Sequence, residues 1–368
     1  MNYNHDDRIV MTLDAGGTNF VFSAVQANKE IINTVKLPSH GNNLQKCLDT
    51  IVSGFRQVQE NLSVEPVAIS FAFPGPADYP RGIIGDLANL PAFRGGIALG
   101  PMLEEKFSLP VFMNNDGDLF AYGEALAGYL PYINSLLENS GSSKRYSNLA
   151  GFTLGTGLGG GIVHDDELFL GDNSAGVEVC NLRNRIDPEA SAEDGISIRA
   201  VKRVYAESAG IDFEEAPSPY EIYKIGIGEA RGNREAAVES YRQLGRNLGD
   251  AVANVLTLVD GIAVIGGGVA GAHRLFWGAM IEEMRTRFKN PLGGTSARFN
   301  VNFFDLEDEQ DLQRFVKGKS RVITVPGTTR KVEYDPLLRI GVGLSKNETS
   351  KIISIGAYAF ALHTLDQK

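Results

Sequence analysis

Three clusters of glycine, each placed directly after an apolar segment, constrain the fold of this 368-residue chain more than any other feature. They lie at 16–17, 155–161 and 266–268, after segments that have the composition of buried strands. A glycine turn at the end of a strand lets backbone N–H groups converge on a phosphate, because no Cβ blocks the approach. One such turn alone is usually a tight loop, whereas three of them indicate that the chain binds a nucleotide.

The glycine clusters do not follow the two best-known nucleotide-binding loops. The GxxxxGK[ST] pattern of a P-loop is absent from the sequence. The GxGxxG pattern of a dinucleotide-binding enzyme, with its downstream acid, is not clearly met either. The sequence therefore favours another nucleotide-binding architecture.

Charge and cysteine content exclude several broad classes of protein. Lys and Arg number 35 against 45 Asp and Glu, and the resulting net charge of −10 argues against a nucleic-acid partner. Only Cys47 and Cys180 are present, so we expect no disulfide framework. The opening residues MNYNHDD are too polar for a signal peptide, and no apolar run reaches the roughly 18 residues of a membrane span. We therefore expect a cytoplasmic protein that binds neither nucleic acid nor a membrane.

A weak internal repeat predicts two domains of similar core topology. The strand, glycine turn and strand of the opening segment recur about 140 residues later. We place a smaller N-terminal α/β domain at 1–117 and a larger C-terminal α/β domain at 118–354. A closing amphipathic helix is expected to pack back onto the first domain with residues 355–368. The charged segment 304–334 carries little pattern and is interpreted as an insertion.

Hydrophobic spacing predicts the other elements in outline. Strands are expected at 8–14, 20–26, 66–73, 109–114 and 149–154. Helices are expected at 43–61, 119–127, 196–208 and 233–258.

Asp14 stands directly at the first glycine turn. A carboxylate in this place would repel phosphate unless a divalent cation lay between them, and Mg²⁺ bound through water suits such a position. The alternative is a turn-forming aspartate whose side chain caps Gly16 or Gly17.

Asn115 and Asp116 follow an apolar strand and precede a helix. Such α/β folds bind their ligands at the carboxyl ends of strands, and phosphoryl transfer to a hydroxyl needs a carboxylate that takes its proton. Asp116 is therefore a candidate general base. The alternative is a helix N-cap, for which Asp is a common residue.

Taken in order, six motifs resemble those of the ROK family of sugar kinases. They are LDAGGTN, PGP at 74–76, NLP at 89–91, PVFMNND, GTGLGGG and IGGG. The resemblance implies an α/β, actin-like ATPase (ribonuclease-H-like) fold with two domains and a central cleft. It further implies that three motifs bind ATP. The first phosphate motif comprises Asp14, Gly16, Gly17, Thr18 and Asn19. The second phosphate motif comprises Gly155, Thr156 and Gly157, and the adenosine motif comprises Gly266, Gly267 and Gly268.

The resemblance also assigns the sugar ligands. Asp116 stands where the family has its catalytic base, and Asn115 where it has a ligand of a sugar hydroxyl. Glu178 matches a sugar-binding glutamate, and Asn181 falls where the family has a histidine. The further positions are Gly75 and Asn89 in the sugar pocket and a second glutamate, which is Glu193 or, as the alternative, Glu189.

This chain departs from the family at its zinc motif. The family usually has a CxCGxxGC cluster, whereas the segment that follows Glu178 offers only Cys180. We therefore expect ATP and Mg²⁺, and no zinc, as cofactors.

The function that the resemblance implies is an ATP-dependent hexokinase acting on the 6-hydroxyl of a hexose, with glucose favoured. N-acetylglucosamine, mannose and fructose stay open as alternatives, and a homodimer is expected. Two other classes are alternatives: a sugar-sensing regulator without catalysis, and an ATPase that acts on protein. A regulator would carry an N-terminal helix-turn-helix, for which the early first strand is not expected to leave room.

Overall fold

The computed structural model describes residues 3–16, 18–87 and 90–367. The chain forms two compact units. The first comprises Met1–Pro131, Gly161–Val177 and Lys346–Lys368, and the second Tyr132–Gly160 and Glu178–Ser345.

Nineteen strands occur in the described residues. Those that precede the second unit are β1 (Val10–Ala15), β2 (Asn19–Gln26), β3 (Lys29–Glu30), β4 (Val35–Pro38), β5 (Ala68–Ala72), β6 (Ala77–Asp78), β7 (Ile83–Ile84), β8 (Ile97–Ala98) and β9 (Val111–Asn114). The others are β10 (Asn148–Leu154), β11 (Leu158–His164), β12 (Glu167–Leu168), β13 (Ile262–Gly266), β14 (Arg287–Lys289), β15 (Thr295–Ala297), β16 (Asn302–Asp305), β17 (Arg321–Thr324), β18 (Lys331–Tyr334) and β19 (Arg339–Leu344).

The described residues also form ten α-helices. They are α1 (Leu44–Glu60), α2 (Leu99–Phe107), α3 (Asp116–Leu126), α4 (Tyr129–Asn139), α5 (Ile198–Ala209), α6 (Pro219–Ile227), α7 (Arg234–Val259), α8 (His273–Met284), α9 (Glu309–Lys317) and α10 (Thr349–Asp366). Among the described residues, no helix has the length and apolar character that crossing a bilayer requires.

The sheet of the first unit runs in the order β3-β2-β1-β5-β9, with β4 beside β2. The first two strands form an antiparallel hairpin, whereas β1, β5 and β9 are parallel to one another. Helix α1 covers this sheet with an apolar stripe that includes Cys47, Ile51 and Phe55. The Phe55 ring lies edge-to-face with Phe22 of the sheet, at a centroid distance of 5.1 Å. The expectation that Cys47 is buried is confirmed.

A second six-stranded sheet repeats this arrangement, in the order β12-β11-β10-β13-β19-β16. The strands β10, β13, β19 and β16 are parallel, and β11 follows β10 after a glycine turn. Each sheet thus begins with a two-stranded segment around a glycine turn and continues with parallel strands. The internal repeat inferred from the sequence is confirmed at the level of topology.

The expectation of an amphipathic closing helix is wrong. Helix α10 packs against α3 and against strands β1, β5 and β9, all within the first unit. Most of its residues from 352 to 363 are buried, with no broad polar face. A helix that is covered on several sides is apolar around most of its circumference.

The contact between α3 and α10 is a close approach of two backbones. A Cβ on Gly356 would lie 1.9 Å from the carbonyl oxygen of Leu119, and a Cβ on Gly123 would lie 2.2 Å from that of Ile352. Glycine at these two positions is therefore required by space. This contact also explains why the units differ from the expected division at residue 117, which would cut through α3.

Segment 304–334 also differs from the insertion that we expected from its many charged residues. Strand β16 pairs with β19 in the sheet, and α9 buries Phe315, so the first half belongs to the second unit's core. Only the hairpin of β17 and β18 is exposed along most of its length. Most charged side chains of this part are exposed, whereas Asp311 of α9 is buried and pairs with Arg285.

Replacing Gly356 by Ala should destabilise the protein by about 1–3 kcal/mol or more, because the new methyl group meets a backbone oxygen that cannot move alone. Gly278→Ala is the matched control. Gly278 lies in α8 with no heavy atom within 4 Å of the added Cβ, so we expect it to stabilise by about 0.5–1 kcal/mol. Urea unfolding of the two variants measures both effects. Equal stability for Gly356→Ala and the wild type would mean that the helices can separate without cost.

Candidate active site

Three parallel strands of the first unit end together at one edge of the sheet. In their register Asp14 of β1 lies beside Ala72 of β5, which lies beside Asn114 of β9. Because neighbouring strands are about 4.8 Å apart, the ends of β1 and β9 are separated by roughly 10 Å. Asp116 comes two residues after Asn114, so both candidate aspartates lie at the same edge.

Asn115, not Asp116, is the N-cap of α3. Its side-chain oxygen accepts a hydrogen bond of 2.7 Å from the backbone N–H of Asp118. Asp116 is the first residue of the helix, and its Oδ1 accepts a bond of 3.0 Å from Gly117 N–H. The alternative interpretation of Asp116 as the cap is therefore wrong. Since the oxygen of Asn115 is used by the cap, its amide nitrogen is the group that can donate to a ligand.

The surroundings of both aspartates disfavour the charged form of the carboxyl group. Asp116 is an exposed residue, yet desolvation of its carboxyl by the surrounding protein raises the pKa of that group. The hydrogen bond from Gly117 N–H partly opposes this rise. Burial is also the larger cause that raises the pKa of Asp14, and the negative charge of Asp116 raises it further. Such a pair favours a bound proton or a nearby cation.

The first glycine turn connects Asp14 to β2. Gly16 and Thr18 are exposed, and the carbonyl oxygen of Thr18 accepts a bond of 3.0 Å from Ser39 N–H. Asn19 opens β2 opposite Pro38. Gly17, which is also predicted for this motif, lies outside the described residues.

The predicted sugar-pocket position Gly75 follows β5 in the turn that leads to a small sheet of β6, β7 and β8. Tyr79 holds this turn, because its hydroxyl donates to the carbonyl oxygen of Phe73 at 2.8 Å. A Cβ on Gly75 would lie 3.2 Å from the Tyr79 hydroxyl. Asn89, the second predicted pocket residue, lies outside the described residues.

Two glycine turns lie side by side in the second unit. The turn Gly155–Leu158, called here the second glycine turn, follows β10, and Gly155 N–H donates to the carbonyl oxygen of Gly157 at 3.0 Å. Gly266 ends the neighbouring strand β13. Gly267 adopts φ +91°, and a Cβ there would lie 2.3 Å from the carbonyl oxygen of Leu154. The structure thus brings Gly155, Thr156, Gly157, Gly266, Gly267 and Gly268 together at one sheet edge.

Glu178 precedes a single 3-10 turn, Val179–Asn181, which Asn181 ends, and both residues are exposed. The Cys180 thiol donates to the carboxylate of Glu178 at 3.2 Å. Burial, followed by this bond and the Glu178 charge, raises the pKa of Cys180 to about 12. Cys180 is therefore a neutral thiol at physiological pH.

Of the two candidates for the second glutamate, Glu193 lies against the second glycine turn. Its Oε2 accepts a bond of 3.1 Å from Leu158 N–H, and its Oε1 pairs with Arg199 at 3.3 Å. Glu189 is exposed in a turn after Asp187. Sequence reasoning identified Glu193 but missed Leu158 and Arg199, because neither has a local pattern that marks it.

A zinc site has no counterpart in the residues that the structure describes. Within residues 3–16, 18–87 and 90–367, no group of three or more His, Cys, Asp or Glu side chains could bind a metal ion. The expectation that the protein carries no zinc stays a prediction.

Residues 10–303 match the family model described as the ROK family. The chain belongs to the ROK family. The fold is accordingly the actin-like ATPase fold, and this prediction is confirmed.

Several members of the ROK family resemble this chain over most of its length. A glucokinase from Parabacteroides distasonis, known from its crystal structure, is 53% identical with a TM-score of 0.89 and covers 99% of each chain. An N-acetyl-D-glucosamine kinase from Photobacterium profundum is 28% identical over 282 residues, which are 72% of this chain and 85% of that protein. A glucokinase from Streptomyces coelicolor is 26% identical over 308 residues, with coverages of 79% and 90%.

Replacing Asp14 by Asn should raise the thermal stability of this ROK protein at neutral pH. The folded pKa of Asp14 lies above its unfolded value, so its charged form is disfavoured in the folded state. The penalty is complete above the folded pKa and disappears as the pH falls below the unfolded value of about 4. Calorimetry should give a higher Tm for Asp14→Asn at pH 7.5 and equal values near pH 3.5.

Asp6→Asn is a control of opposite sign. Hydrogen bonds from Arg8 are the main cause that lowers the pKa of Asp6, so its charge stabilises the folded state at neutral pH. This variant should lower the Tm at pH 7.5, and the difference should vanish as the pH falls through the folded pKa. An Asp14→Asn protein less stable than the wild type at pH 7.5 would contradict the unfavourable setting of Asp14.

Proposed function

We propose that the protein is an ATP-dependent hexose kinase that transfers the γ-phosphoryl group of ATP to the 6-hydroxyl of glucose. The observation that carries the proposal is the position of Asp116, an exposed carboxylate at the end of a parallel strand, with its pKa raised and a second aspartate nearby. The names of the ROK relatives, which are glucokinases and N-acetylglucosamine kinases, support a sugar as the phosphoryl acceptor.

In this proposal Asp116 is the general base. It takes the proton of the sugar hydroxyl while the hydroxyl oxygen bonds to the γ-phosphorus, and the bond from that phosphorus to the leaving oxygen of ADP breaks. A carboxylate whose conjugate acid has a raised pKa is a stronger base than an ordinary aspartate. Asn115 would donate its amide N–H to a neighbouring hydroxyl.

The residues around Asp14 suit Mg²⁺, because a carboxylate with an unfavourably placed negative charge is relieved by a cation. When bound, Mg²⁺ would offset the charge of the phosphates, and Asp14 would bind it through water. On the second unit, the N–H groups of the glycine turns would donate to phosphate oxygens, and Glu178, Asn181 and Glu193 would bind sugar hydroxyls.

Glucose is the proposed acceptor because the relative that is 53% identical over 99% of this chain is a glucokinase. N-acetylglucosamine, mannose and fructose are the alternatives to be tested beside it. ADP release with each sugar, at equal concentrations, ranks them by kcat/KM. ADP release that does not depend on any sugar would favour an ATPase of another kind, and sugar binding without ADP release would favour a regulator. From the family resemblance we also propose that the protein is cytoplasmic and forms a homodimer. Sedimentation of the purified protein tests the homodimer.

Replacing Asp116 by Asn should lower turnover by about 10²–10⁴-fold while the sugar affinity stays within about tenfold, because the amide keeps the size of the side chain but cannot accept a proton. Asp49→Asn, an exposed aspartate on α1, is the control and should leave both constants unchanged. Steady-state kinetics and calorimetric sugar titration give the two quantities. Near-normal turnover in folded Asp116→Asn would remove Asp116 as the base.

The purified protein should carry no stoichiometric zinc. A tetrahedral structural site needs four ligands, and Cys180 has no second cysteine nearer in sequence than Cys47. The loop that follows Glu178 is instead bonded through Asn184, whose side-chain oxygen accepts from the N–H groups of Ile186 and Asp187. Elemental analysis after dialysis measures the metal content. One zinc per chain, or activity restored only by zinc after chelation, would contradict the prediction.

A further inference from the structure

The carboxylate of Glu193 fills the space that a side chain at Gly157 of the second glycine turn would need. A Cβ on Gly157 would lie 2.2 Å from Oε2 of Glu193, the same oxygen that accepts the Leu158 N–H bond. The backbone of Gly157 does not have a positive φ, so the need for glycine is one of space alone. At Gly155, by contrast, an added Cβ would meet no heavy atom within 4 Å.

The segment that begins with Glu193 also forms a hydrogen bond with the other end of the second glycine turn. Ile198 N–H donates to the carbonyl oxygen of Gly155 at 3.1 Å. Ile198 is the first residue of α5, which Ser197 caps by accepting from Ala200 N–H at 3.3 Å. Residues 193–198 therefore hold both ends of the second glycine turn.

These bonds determine which amides the turn can offer to an anion. Gly155 N–H is bonded within the turn and Leu158 N–H is bonded to Glu193. Among the residues that the structure describes, the N–H groups of Thr156 and Gly157 are then the donors that the turn leaves for a phosphate. A carboxylate so near a phosphate site repels the ligand, so its presence must be offset by what it does for the turn.

Arg199 adds little to this arrangement. Its side chain is 68% exposed and that of Glu193 is 32% exposed, and an ion pair between exposed side chains contributes little because solvent screens it. The charge-assisted bond from Leu158 N–H is the stronger of the two interactions. The effect of Glu193 on the turn thus depends on its hydrogen bond with Leu158.

We infer that Glu193 is a positioning residue for the second glycine turn, so that nucleotide affinity depends on a residue which the family resemblance assigns to the sugar. Its carboxylate fixes Leu158 and thereby aims the N–H groups of Thr156 and Gly157 at the nucleotide phosphates. The inference rests on the proposed function for the identity of the ligand. The hydrogen bonds that hold the second glycine turn do not depend on the proposed function.

Binding of a non-hydrolysable ATP analogue to the sugar-free protein tests the inference. Glu193→Ala should weaken binding by about 10-fold or more, because the charged hydrogen bond is lost. Glu193→Gln keeps an oxygen that can accept from Leu158 N–H and should stay within about threefold of the wild type. A residue that only bound sugar would leave nucleotide affinity unchanged in both variants, and that result, or equal losses in both, would overturn the inference.

Lys202→Ala is the matched control on the same helix. Its ammonium lies 4.8 Å from the centre of the Phe213 ring and has no bond to Glu193 among the described contacts. This variant should bind the analogue as the wild type does. Unchanged Tm values for Glu193→Gln and Lys202→Ala would show that the protein remains folded.

Hydrogen exchange separates the inference from the proposed function. Without any ligand, Glu193→Ala should speed exchange in a peptide spanning 155–160, and Glu193→Gln should not, because only the first variant frees the Leu158 amide. The Gly157→Ala substitution should lower the Tm more in the wild type than in the Glu193→Ala variant, because only the wild type has the Glu193 carboxylate that the added methyl group meets. If sugar-dependent ADP release is absent, the proposed function fails while this result still decides the inference. Unchanged exchange in Glu193→Ala would overturn it.

Discussion

The first unit depends on a contact between two helix backbones that are far apart in sequence. The oxygens of Leu119 and Ile352 lie where a Cβ on Gly356 or Gly123 would have to be, so α3 and α10 pack more closely than helices with larger side chains can. Asp116 is the first residue of α3, which means that the position of the candidate base is set by the end of the chain. A helix that begins at a catalytic position must be held along its length, since any tilt moves its first residue most.

The two units place opposite kinds of chemistry at equivalent edges of similar sheets. In the first unit the strand ends carry Asp14 and Asp116, whose charges raise the free energy of the folded state. In the second unit the strand ends carry glycines, whose N–H groups suit phosphate. In the proposed function, proton transfer and cation binding need carboxylates, whereas a phosphate needs donors without negative charge, so one topology would serve both tasks through its turn residues.

The parts of the structure that the sequence predicted are those fixed by local physics. The hairpin of β1 and β2 and the glycine turns follow from apolar runs and glycine within a few residues of one another. The parts that it missed depend on distant contacts: α10 is buried on several sides by α3 and by strands β1, β5 and β9, which lie far away in sequence, and β16 is followed by the charged residues that lead into α9. The contact of Glu193 with Gly157 joins residues 36 positions apart, so no spacing rule could have revealed it.

Two different physical constraints require glycine in these turns. At Gly267 both a positive φ and the Leu154 oxygen exclude a side chain, so the backbone alone requires glycine. At Gly157 the constraint comes from the Glu193 carboxylate, a side chain that could be replaced. If Glu193 serves both the sugar and the turn, a change at Gly157 displaces a sugar ligand and a change at Glu193 loosens the phosphate donors. The two positions are then tied to each other, and neither can change alone without affecting both substrates.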